Sequence, residues 1–570
     1  LALGCGGRSS AGILPGLEFR GQPADSVAGE ALAATVEVAV VDALGRTITS
    51  AEPLISVSLI GGDGSAVLAG DRSVQAVSGV ARFSNLQVHG TGSDLSLQAV
   101  GPGLATTRSK RFDVESKIRN IVLLIADGWG FKQIEATNRY TKNAPIYASW
   151  NLTPMATWDL ETQKGNGGVG YDSKKAWSDL NYLRNGPTDS ASSATAMYSG
   201  NKTQRGRISV VSGRRLKTIS ELAVSQGRGS GAVTSVPVTH ATPGAWFAHN
   251  SSRANVYAIG DEGLWGDPNT TGTPATHLAY SGGFGPTRPR SHVIIGGGHP
   301  LWNSARYLTV SMLNKLRTEN RSPGAWTLVE RIKGKMDGGA RLLSSARDPK
   351  VERLVGLFGG SGGNLEYRTA TGSGRNPENP TLAEMTEAAL AVLARKKRGF
   401  ALMVEGGAVD WAGHANNLDR CVGEMIGFNL AVKAAVKWIE SPSTKADWTN
   451  TLVIVTGDHE CGLLTAGPGV FPDRPLLEVS ARTLALEKRS TSPSIRASWE
   501  DVNKNSRIDA GEKVYWAWNS IGHSNSLIPL YAKGLLADRF RRVATKVDQV
   551  RGKYMDNTEV FKTVQEVLTK

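Results

Sequence analysis

Short alternating runs of apolar and polar residues mark the first part of the chain, from about residue 16 to residue 114. Val36, Val38 and Val40 form one such run, residues 55–59 form another, and glycine-rich turns such as residues 61–64 separate the runs. A period of two is typical of strands that bury only one face. The pattern predicts a small all-β sandwich over residues 16–115, after a spacer at residues 1–15.

Beyond residue 116 the apolar residues form unbroken runs, at residues 121–125, 231–236, 293–295, 401–404 and 452–455. Such runs are typical of strands that are covered on both faces, as in a parallel sheet. Amphipathic segments lie between them. One starts at the capping box of Thr381 and Glu384 and runs to Arg398, and another covers residues 418–439. The alternation predicts an α/β sandwich with a mostly parallel central sheet over residues 116–570.

Carboxylates and histidines follow three of these apolar runs, where each predicted strand ends, and a further histidine comes near the C-terminus. The residues are Asp127, Glu405, Asp410, His414, Asp458, His459 and His523. The carboxyl ends of parallel strands meet at one edge of a sheet, so we expect these side chains to converge. Each motif alone is compatible with a turn or a core histidine. As a set of imidazole and carboxylate ligands, they predict a metal site.

A candidate nucleophile lies in the stretch PTDSASSATAMYSG at residues 187–200. Thr188 or Asp189 can cap a helix that begins at about Ser190, and the small residues that follow allow this helix to lie close to a sheet. The positive end of a helix favours an alkoxide or a bound phosphate. An ordinary N-cap is the alternative, but the metal-ligating residues elsewhere in the chain favour the catalytic interpretation.

Taken together, these motifs resemble those of the alkaline phosphatase family. The resemblance spans roughly residues 120–534 in the family's motif order, and its Asp-Ser, Glu-Gly-Gly…Asp…His and Asp-His motifs are highly specific as a set. It implies an alkaline-phosphatase-like fold and a catalytic domain over residues 116–570. It also implies hydrolysis of phosphate monoesters through a phosphoserine on Ser190, with two zinc ions and one magnesium ion as cofactors.

The resemblance also implies which residues hold each ion. The first zinc would be held by Asp410, His414 and His523. The second zinc would be held by Asp127, Asp458, His459 and Ser190. The magnesium would be held by Asp127, Thr242 and Glu405. Arg253 would grip two phosphate oxygens with its planar fork, whereas a surface salt bridge is the alternative for that arginine taken alone.

Two positions depart from the best-known bacterial pattern of the family. His240 stands where some members have aspartate, and Trp411 stands where others have lysine or histidine. These variants bear on how tightly the third site binds magnesium and whether zinc enters it, and Trp411 is also expected to line the substrate pocket. Residues 260–289, rich in Gly, Thr and Pro, lack periodicity and are predicted to be a long insertion near the mouth of the site.

A separate metal motif covers residues 501–512. Its side chains at positions 1, 3, 5, 9 and 12 match a calcium-binding loop, with a backbone carbonyl at position 7. The residues are Asp501, Asn503, Asn505, Arg507, Asp509 and Glu512. Position 6 is normally glycine and here is Ser506, which would adopt a positive φ at a cost on the order of 1 kcal/mol. The motif predicts a structural calcium ion; a merely polar loop is the alternative.

Length, charge and cysteines add three expectations. A chain of 570 residues is too long for one core, so two or three domains are expected. The net charge of +14 would suit an anionic partner such as a phosphate ester, although the scattered Lys and Arg favour a solvated basic surface and no specific nucleic acid. Cys421 and Cys461 are expected to be either bridged or two buried free thiols.

The N-terminal stretch ALGC at residues 2–5, followed by two glycines, resembles a bacterial lipoprotein processing site. Cys5 would then carry a lipid anchor, and the protein would be exported to the periplasm or cell exterior and tethered to a membrane. An unmodified thiol is the alternative. No apolar run approaches the roughly 20 residues of a transmembrane helix. The all-β segment resembles bacterial immunoglobulin-like domains and is expected to be a spacer or adhesion module.

Other functions remain open at this stage. A phosphodiesterase of the same superfamily is the main alternative, but a diester has fewer free oxygens for Arg253. A sulfatase is disfavoured because those enzymes modify a Cys or Ser in a different local motif. A surface binding protein that uses the immunoglobulin-like part is the alternative from another class. Both a monomer and a homodimer are compatible with the sequence.

Overall fold

The computed structural model describes residues 15–569, apart from residues 33, 63, 65, 116, 272–290, 323 and 366–367. The chain divides into two compact units, Leu1–Ile118 and Arg119–Lys570. None of the helices in the described ranges combines the length and the hydrophobicity that a membrane span requires. Cys5 lies outside the described residues, and so does most of the predicted insertion at residues 260–289.

The first unit is all β. Its strands are β1 (Gly16–Gly21), β2 (Ser26–Val27), β3 (Val36–Val41), β4 (Leu54–Ile60), β5 (Val67–Ala69), β6 (Ser73–Gln75), β7 (Val80–Phe83), β8 (Gln87–His89), β9 (Gly92–Val100), β10 (Thr107–Arg108) and β11 (Phe112–Glu115). One sheet has the order β1-β3-β7, a second has the order β2-β11-β9-β4-β6 with β10 beside β9, and β5 and β8 form a separate two-stranded sheet. Apart from the parallel pair β2 and β11, these neighbours are antiparallel.

The core of this unit follows from the alternation of its strands. Val36, Val38 and Val40 of β3 are almost fully buried in one cluster that also contains Ile55 and Phe83 from other strands. Every second residue of each strand faces the partner sheet, so apolar residues at a period of two fill the space between the sheets. The predicted all-β sandwich is confirmed.

The described part of the second unit contains nineteen strands, and eleven of them form its large sheet. Its strands are β12 (Asn120–Ala126), β13 (Asn151–Ala156), β14 (Val210–Val211), β15 (Arg214–Arg215), β16 (Gly229–Pro237), β17 (Val293–Gly297), β18 (Thr327–Glu330), β19 (Leu354–Leu357), β20 (Phe400–Gly406), β21 (Thr451–Thr456), β22 (Glu460–Cys461), β23 (Leu464–Thr465), β24 (Glu487–Arg489), β25 (Arg496–Trp499), β26 (Val514–Trp518), β27 (His523–Ser524), β28 (Ile528–Gly534), β29 (Lys546–Asp548) and β30 (Gly552–Asp556).

The order in the large sheet is β18-β19-β17-β16-β20-β12-β21-β28-β13-β30-β29. The first seven strands of this order are mutually parallel, and β28 then runs antiparallel to β21. A smaller antiparallel sheet has the order β23-β26-β25-β24. The predicted sandwich with a mostly parallel central sheet is therefore confirmed.

Helices cover both faces of the large sheet. They are α1 (Phe131–Thr141), α2 (Leu160–Gly165), α3 (Leu180–Arg184), α4 (Ser190–Ser199), α5 (Ile219–Ser225), α6 (Ala241–Phe247), α7 (Val256–Trp265), α8 (Val310–Glu319), α9 (Gly338–Arg347), α10 (Leu382–Leu393), α11 (Ala408–His414), α12 (Leu418–Ile439), α13 (Ala481–Ala485), α14 (Arg539–Val543) and α15 (Thr558–Thr569). Short 3₁₀ turns lie at Ile146–Ser149 and Lys175–Trp177.

The unbroken apolar run of β12 has a simple cause. Its residues 121, 123 and 125 belong to one core cluster, with residues of α4, α6 and α15. Its residues 122, 124 and 126 belong to another, with residues of α10 and α12. Both faces of the strand are therefore covered by helices, so an apolar residue is needed at every position.

The predicted start of α10 and both predicted limits of α12 are found in the structure. Thr381 accepts from the backbone N–H of Glu384 in a capping box and starts α10, and α12 has the predicted limits. The structure ends α10 at Leu393 rather than at Arg398, because the chain must turn to enter β20. Gly399 makes that turn with a φ of 88°, and a Cβ there would lie only 2.3 Å from the carbonyl oxygen of Arg119.

The structure decides two further expectations, one about the long insertion and one about the cysteine pair. The predicted insertion is partly wrong, because residues 260–265 belong to α7. A Cβ at Gly263 would lie 2.4 Å from the ring of Phe247, so the glycine allows α7 to approach α6 closely. Cys421 and Cys461 are both free and buried, so the bridged alternative is wrong.

Candidate metal-dependent active site

Three parallel neighbours, β20, β12 and β21, bring the first site residues to one edge of the sheet. Glu405 lies at the end of β20, Asp127 directly follows β12, and Asp458 follows β21 by two residues. All three side chains are fully buried. Strand order, which sequence motifs cannot show, is what places them side by side.

Helices and a two-stranded antiparallel sheet supply the remaining groups. Asp410 and His414 lie one helical turn apart on α11, so they share a face. His523 lies on β27, which pairs with β22 directly after His459. Ser190 is the first residue of α4, and the N-cap Asp189 accepts a hydrogen bond from the N–H of Ser192.

A first group of donor atoms is formed by Asp410, His414 and His523. Nε2 of His414 lies 3.1 Å from Nε2 of His523, and each nitrogen lies 3.4 Å from an oxygen of Asp410. A tetrahedral ion with bonds of about 2.0–2.1 Å separates its ligand atoms by about 3.3–3.4 Å. The three residues therefore fit a small divalent cation.

The other ring nitrogen of each histidine is held by the backbone. Nδ1 of His414 lies 2.6 Å from the carbonyl oxygen of Ile521, and Nδ1 of His523 lies 2.8 Å from that of Thr188. An N–H at Nδ1 donates to the carbonyl, which leaves a lone pair on Nε2 for a cation.

A second group contains Asp127, Asp458, His459 and Ser190. Nε2 of His459 lies 3.2 Å from Oγ of Ser190, 3.2 Å from Oδ2 of Asp458 and 3.6 Å from Oδ1 of Asp127. One oxygen of each carboxylate is anchored: Oδ1 of Asp458 accepts from two backbone N–H groups, and Oδ2 of Asp127 accepts from Thr242. The other oxygen of each is buried and has no hydrogen-bond partner.

A third group also contains Asp127. Donor atoms of Asp127, His240 and Glu405 lie within 4.8 Å of one another, and Thr242 donates to Asp127 at 3.3 Å. Glu405 repeats the pattern of the second group, because its Oε2 accepts from Thr234 and its Oε1 is buried without a partner. Sequence reasoning missed Thr234, which has no motif around it.

The buried carboxylates of these groups need positive charge close to them. Burial and the neighbouring carboxylates raise the pKa of Asp127 well above its usual range, burial raises the pKa of Glu405 to about 7, and burial with the charge of Asp410 raises the pKa of Asp458 to about 6. Buried carboxylates with orphaned oxygens are stable as anions only when a cation compensates them. The residues present fit divalent metal ions.

Asp410 and His523 behave as an ion pair in the absence of metal. Burial alone would raise the pKa of Asp410, but the charge of the adjacent His523, 3.4 Å away, outweighs it and holds that pKa below its usual range. Burial alone would lower the pKa of His523, but Asp410 raises it to about 9. A divalent ion placed between them would replace that proton.

Arg253 borders the site and is held in place. Its Nη1 donates to Oδ2 of Asp189 at 2.9 Å, and its backbone N–H donates to Gly206 at 2.7 Å. Burial alone would raise the pKa of Asp189, but the charge of Arg253 and hydrogen bonds from Ser192 lower it to about 2. The ring of Trp411 packs edge-on against His240, which lies beside Arg253.

A buried glutamate that sequence reasoning left without a role connects three segments of the site. Oε1 of Glu460 accepts from Gln133 of α1 at 2.9 Å. Its Oε2 accepts from Ser524, next to His523, and from the N–H of Leu463 at 3.2 Å. Glu460 therefore braces the segments that carry the histidines of both metal groups.

The calcium-like loop joins β25 to β26. Oxygens of Asp501 accept from the N–H groups of Asn505 and Ser506 and from Lys488, and Glu512 accepts from the N–H of Val502. Ser506 has a φ of 60°, so the left-handed conformation predicted for position 6 is confirmed. The loop closes on itself through these contacts.

A family profile described as alkaline phosphatase matches residues 118–569. The chain belongs to the alkaline phosphatase family. At the level of the family, the chain is therefore a metal-dependent phosphatase that acts on phosphate monoesters.

Curated relatives and solved structures agree with this membership. The chain is 26% identical over 472 residues to alkaline phosphatase 4 of Bacillus subtilis (strain 168), covering 76% of this chain and 88% of that protein. It is 28% identical over 507 residues to the streptomycin-6-phosphate phosphatase of Streptomyces griseus, covering 84% and 96%. The cold-active alkaline phosphatase of a psychrophilic Shewanella sp. has a TM-score of 0.53 at 21% identity, covering 79% of this chain and all of that one.

A further solved structure is a His-to-Asp mutant of the alkaline phosphatase from the Antarctic bacterium TAB5, with magnesium bound in its M3 site. It has a TM-score of 0.51 at 22% identity, covering 79% of this chain and 98% of that one. At such identities the structural likeness supports the fold.

Proposed function

We propose that this chain hydrolyses phosphate monoesters through a phosphoserine on Ser190, with two zinc ions and one magnesium ion. The supporting observation is that Oγ of Ser190 lies beside His459 and faces buried carboxylates that each keep one oxygen without a partner. The first zinc is assigned to Asp410, His414 and His523. The second is assigned to Asp127, Asp458, His459 and Ser190. The magnesium is assigned to Asp127, Thr242 and Glu405.

Bound divalent ions would supply positive charge for the attacking and leaving oxygens of an in-line displacement. Ser190 provides the attacking oxygen at the positive end of α4. The bond between its Oγ and phosphorus forms as the ester P–O bond breaks and the alcohol leaves on the opposite side. Water then cleaves the phosphoserine, which releases inorganic phosphate and restores the hydroxyl.

Arg253 holds the transferring group. Because one guanidinium nitrogen is fixed on Asp189, the remaining N–H groups keep a constant direction and can donate to two non-bridging oxygens. A monoester has three non-bridging oxygens, so two can accept from Arg253 while the third is left for the metal groups; a diester has only two in all. This favours a monoesterase over a phosphodiesterase.

His240 modifies the third site. Burial and the charge of Arg253 lower the pKa of His240 to about 3, so the ring is neutral at neutral and alkaline pH. Its Nδ1 is buried and has no hydrogen-bond partner. A neutral imidazole beside Asp127 and Glu405 is a ligand that zinc accepts more readily than magnesium does, so zinc competes for this position.

The deciding experiment is hydrolysis of p-nitrophenyl phosphate before and after chelation, with zinc and magnesium added back separately. Ser190→Ala should lose turnover by at least about 10³-fold, because it removes the nucleophile. Ser199→Ala is the matched control, because Ser199 ends the same helix, where it donates to the carbonyl of Thr195 and accepts from the N–H of Asn201. Equal turnover of Ser190→Ala and Ser199→Ala, or faster hydrolysis of bis-p-nitrophenyl phosphate than of the monoester, would contradict the proposal.

We further propose that the loop at residues 501–512 binds a structural calcium ion. The side chain of Asp501 is only 6% exposed, and Ser506 already has the backbone conformation that such loops require at position 6. The loop joins β25 to β26, and β26 leads to the segment that carries His523. Calcium there would stabilise that segment without taking part in the reaction.

The N-terminal part of the chain bears on where the protein is located and not on the reaction it catalyses. We propose that residues 1–15 are a spacer with a lipid-modified Cys5, that residues 16–115 form an immunoglobulin-like module, and that the catalytic domain at residues 116–570 is exported and tethered. The support is the lipoprotein-like stretch at residues 2–5 and the all-β first unit. Metabolic labelling with a fatty acid should mark the wild type and spare Cys5→Ser; equal labelling would contradict it.

A further inference from the structure

A buried thiol lies among the donor atoms of the first metal group. Cys461 follows His459 by two residues and pairs with His523 in the two-stranded antiparallel sheet of β22 and β27. Its sulfur and the donor atoms of Asp410, His414 and His523 all lie within 4.8 Å of one another. The thiol is therefore a neighbour of all three predicted ligands rather than of one.

Backbone contacts hold the thiol in this place. The N–H of Cys461 donates to the carbonyl of Gly128 at 2.9 Å, and its carbonyl accepts from Gln133 at 3.0 Å. On the other side, a Cβ at Gly413 would lie 3.1 Å from the sulfur. The glycine thus lets α11, which carries two of the ligands, approach the thiol closely.

An unsatisfied oxygen marks the same point as a cation position. Oδ1 of Asp410 is buried, has no hydrogen-bond partner, and lies 3.4 Å from Nε2 of His523. A buried carboxylate oxygen of this kind needs a proton donor or a cation. Sulfur and oxygen donors therefore stand together with two imidazoles around one small volume.

We infer that Cys461 is a fourth protein donor to the ion at the first site, which gives that site an Asp-His-His-Cys donor set. The inference rests on the proposed function for the location of the ion. On binding, the sulfur–metal bond forms as the S–H proton leaves to solvent, and no electron is transferred. A zinc ion held by these four residues would still be able to accept a substrate oxygen, because zinc can take a fifth ligand.

A thiolate changes which cation the site selects. Sulfur is a soft donor that favours Zn²⁺, Cd²⁺ and Co²⁺ over Mg²⁺, Ca²⁺ and Mn²⁺. The first site should therefore retain a thiophilic ion against a chelator more strongly than an Asp-His-His set alone. Loss of the thiol in Cys461→Thr should weaken retention on the order of tenfold or more.

The test uses the full chain after metal removal, titrated with Co²⁺ and followed by absorption. The wild type should show a near-ultraviolet sulfur-to-cobalt charge-transfer band together with the visible bands of bound cobalt. Cys461→Thr should keep the visible bands and lose the charge-transfer band. Cys421→Ser is the matched control, since Cys421 is also buried but lies on α12 among apolar core residues, and it should keep both.

Each outcome bears on a different claim. Bound cobalt without a charge-transfer band in the wild type, or a band that persists in Cys461→Thr, would overturn the sulfur ligand and leave the phosphatase proposal standing. Failure of the wild type to bind cobalt would overturn both. If Cys461→Thr does not fold, X-ray absorption of the zinc-loaded wild type decides: a sulfur neighbour supports the inference, and a shell of nitrogen and oxygen alone refutes it.

Discussion

Asp189→Asn isolates the role of the carboxylate that holds Arg253. Asp189 caps α4 and also accepts from Nη1 of Arg253 at 2.9 Å. Asparagine is as good an N-cap as aspartate, so the substitution keeps the start of the helix and removes the negative charge. The expected result is a less stable protein in which the guanidinium is free to move.

The magnitude follows from the pKa of the carboxylate. The difference between its ordinary value of 3.8 and about 2 corresponds to roughly 2 kcal/mol, at about 1.36 kcal/mol per pH unit. Only 18% of the Asp189 side chain is exposed, so solvent screening is modest. Because the pKa is lower in the folded state, this stabilisation is complete at pH 7 and is lost as the pH falls through about 2.

The effect on phosphate binding has a separate origin. An arginine that must be immobilised on binding costs about 0.5–1.5 kcal/mol, which corresponds to about two- to tenfold in affinity. The inhibition constant of inorganic phosphate and the KM for p-nitrophenyl phosphate should rise by this factor in Asp189→Asn. Urea unfolding at pH 7 measures the loss of stability on the same samples.

Asp159→Asn is the matched control. Asp159 caps α2, is fully buried, and is paired with Arg205 at 2.9 Å. This variant should also lose stability but leave the inhibition constant of phosphate unchanged. If both variants leave phosphate inhibition unchanged, Asp189 does not position Arg253 and the reasoning is wrong.

Three further predictions concern the metal groups and the loop. In the metal-free protein, the raised pKa values of Glu405 and Asp458 mean that folding stability is lost as the pH rises from about 4 to about 7. The chelated protein should therefore melt at a lower temperature at pH 8 than at pH 5.5 in scanning fluorimetry. Addition of zinc with magnesium should abolish this difference. Glu460→Gln, which removes an acceptor oxygen, should raise the zinc dissociation constant on the order of tenfold in a chelator competition, whereas Glu487→Gln, at another buried carboxylate, should not. Because Ser506 already has a φ of 60° without calcium, Ser506→Gly should relieve about 1 kcal/mol of backbone strain in both forms of the loop, which raises the free energy of unfolding in urea and leaves calcium affinity by calorimetry unchanged; no calcium binding in either form would refute the loop site.

Local patterns determined much of the fold. The run at residues 121–125 is apolar at every position because helices cover both faces of β12, and this property is readable without knowing which helices they are. The cap at Thr381, the limits of α12 and the positive φ of Ser506 are equally local, since each depends on residues a few positions apart. The motifs likewise named the site residues that the structure brings together.

Tertiary structure alone decided how those residues are supported. His523 is oriented by the carbonyl of Thr188, which is 335 positions away in the chain, and Glu405 is anchored by Thr234 at 171 positions. Cys461 lies among the ligands because Gly413 allows α11 to approach it closely. Side-chain type and spacing along the chain identify the ligands themselves. The groups that orient these ligands depend on strand order and on how closely the helices approach, and no local pattern encodes either property.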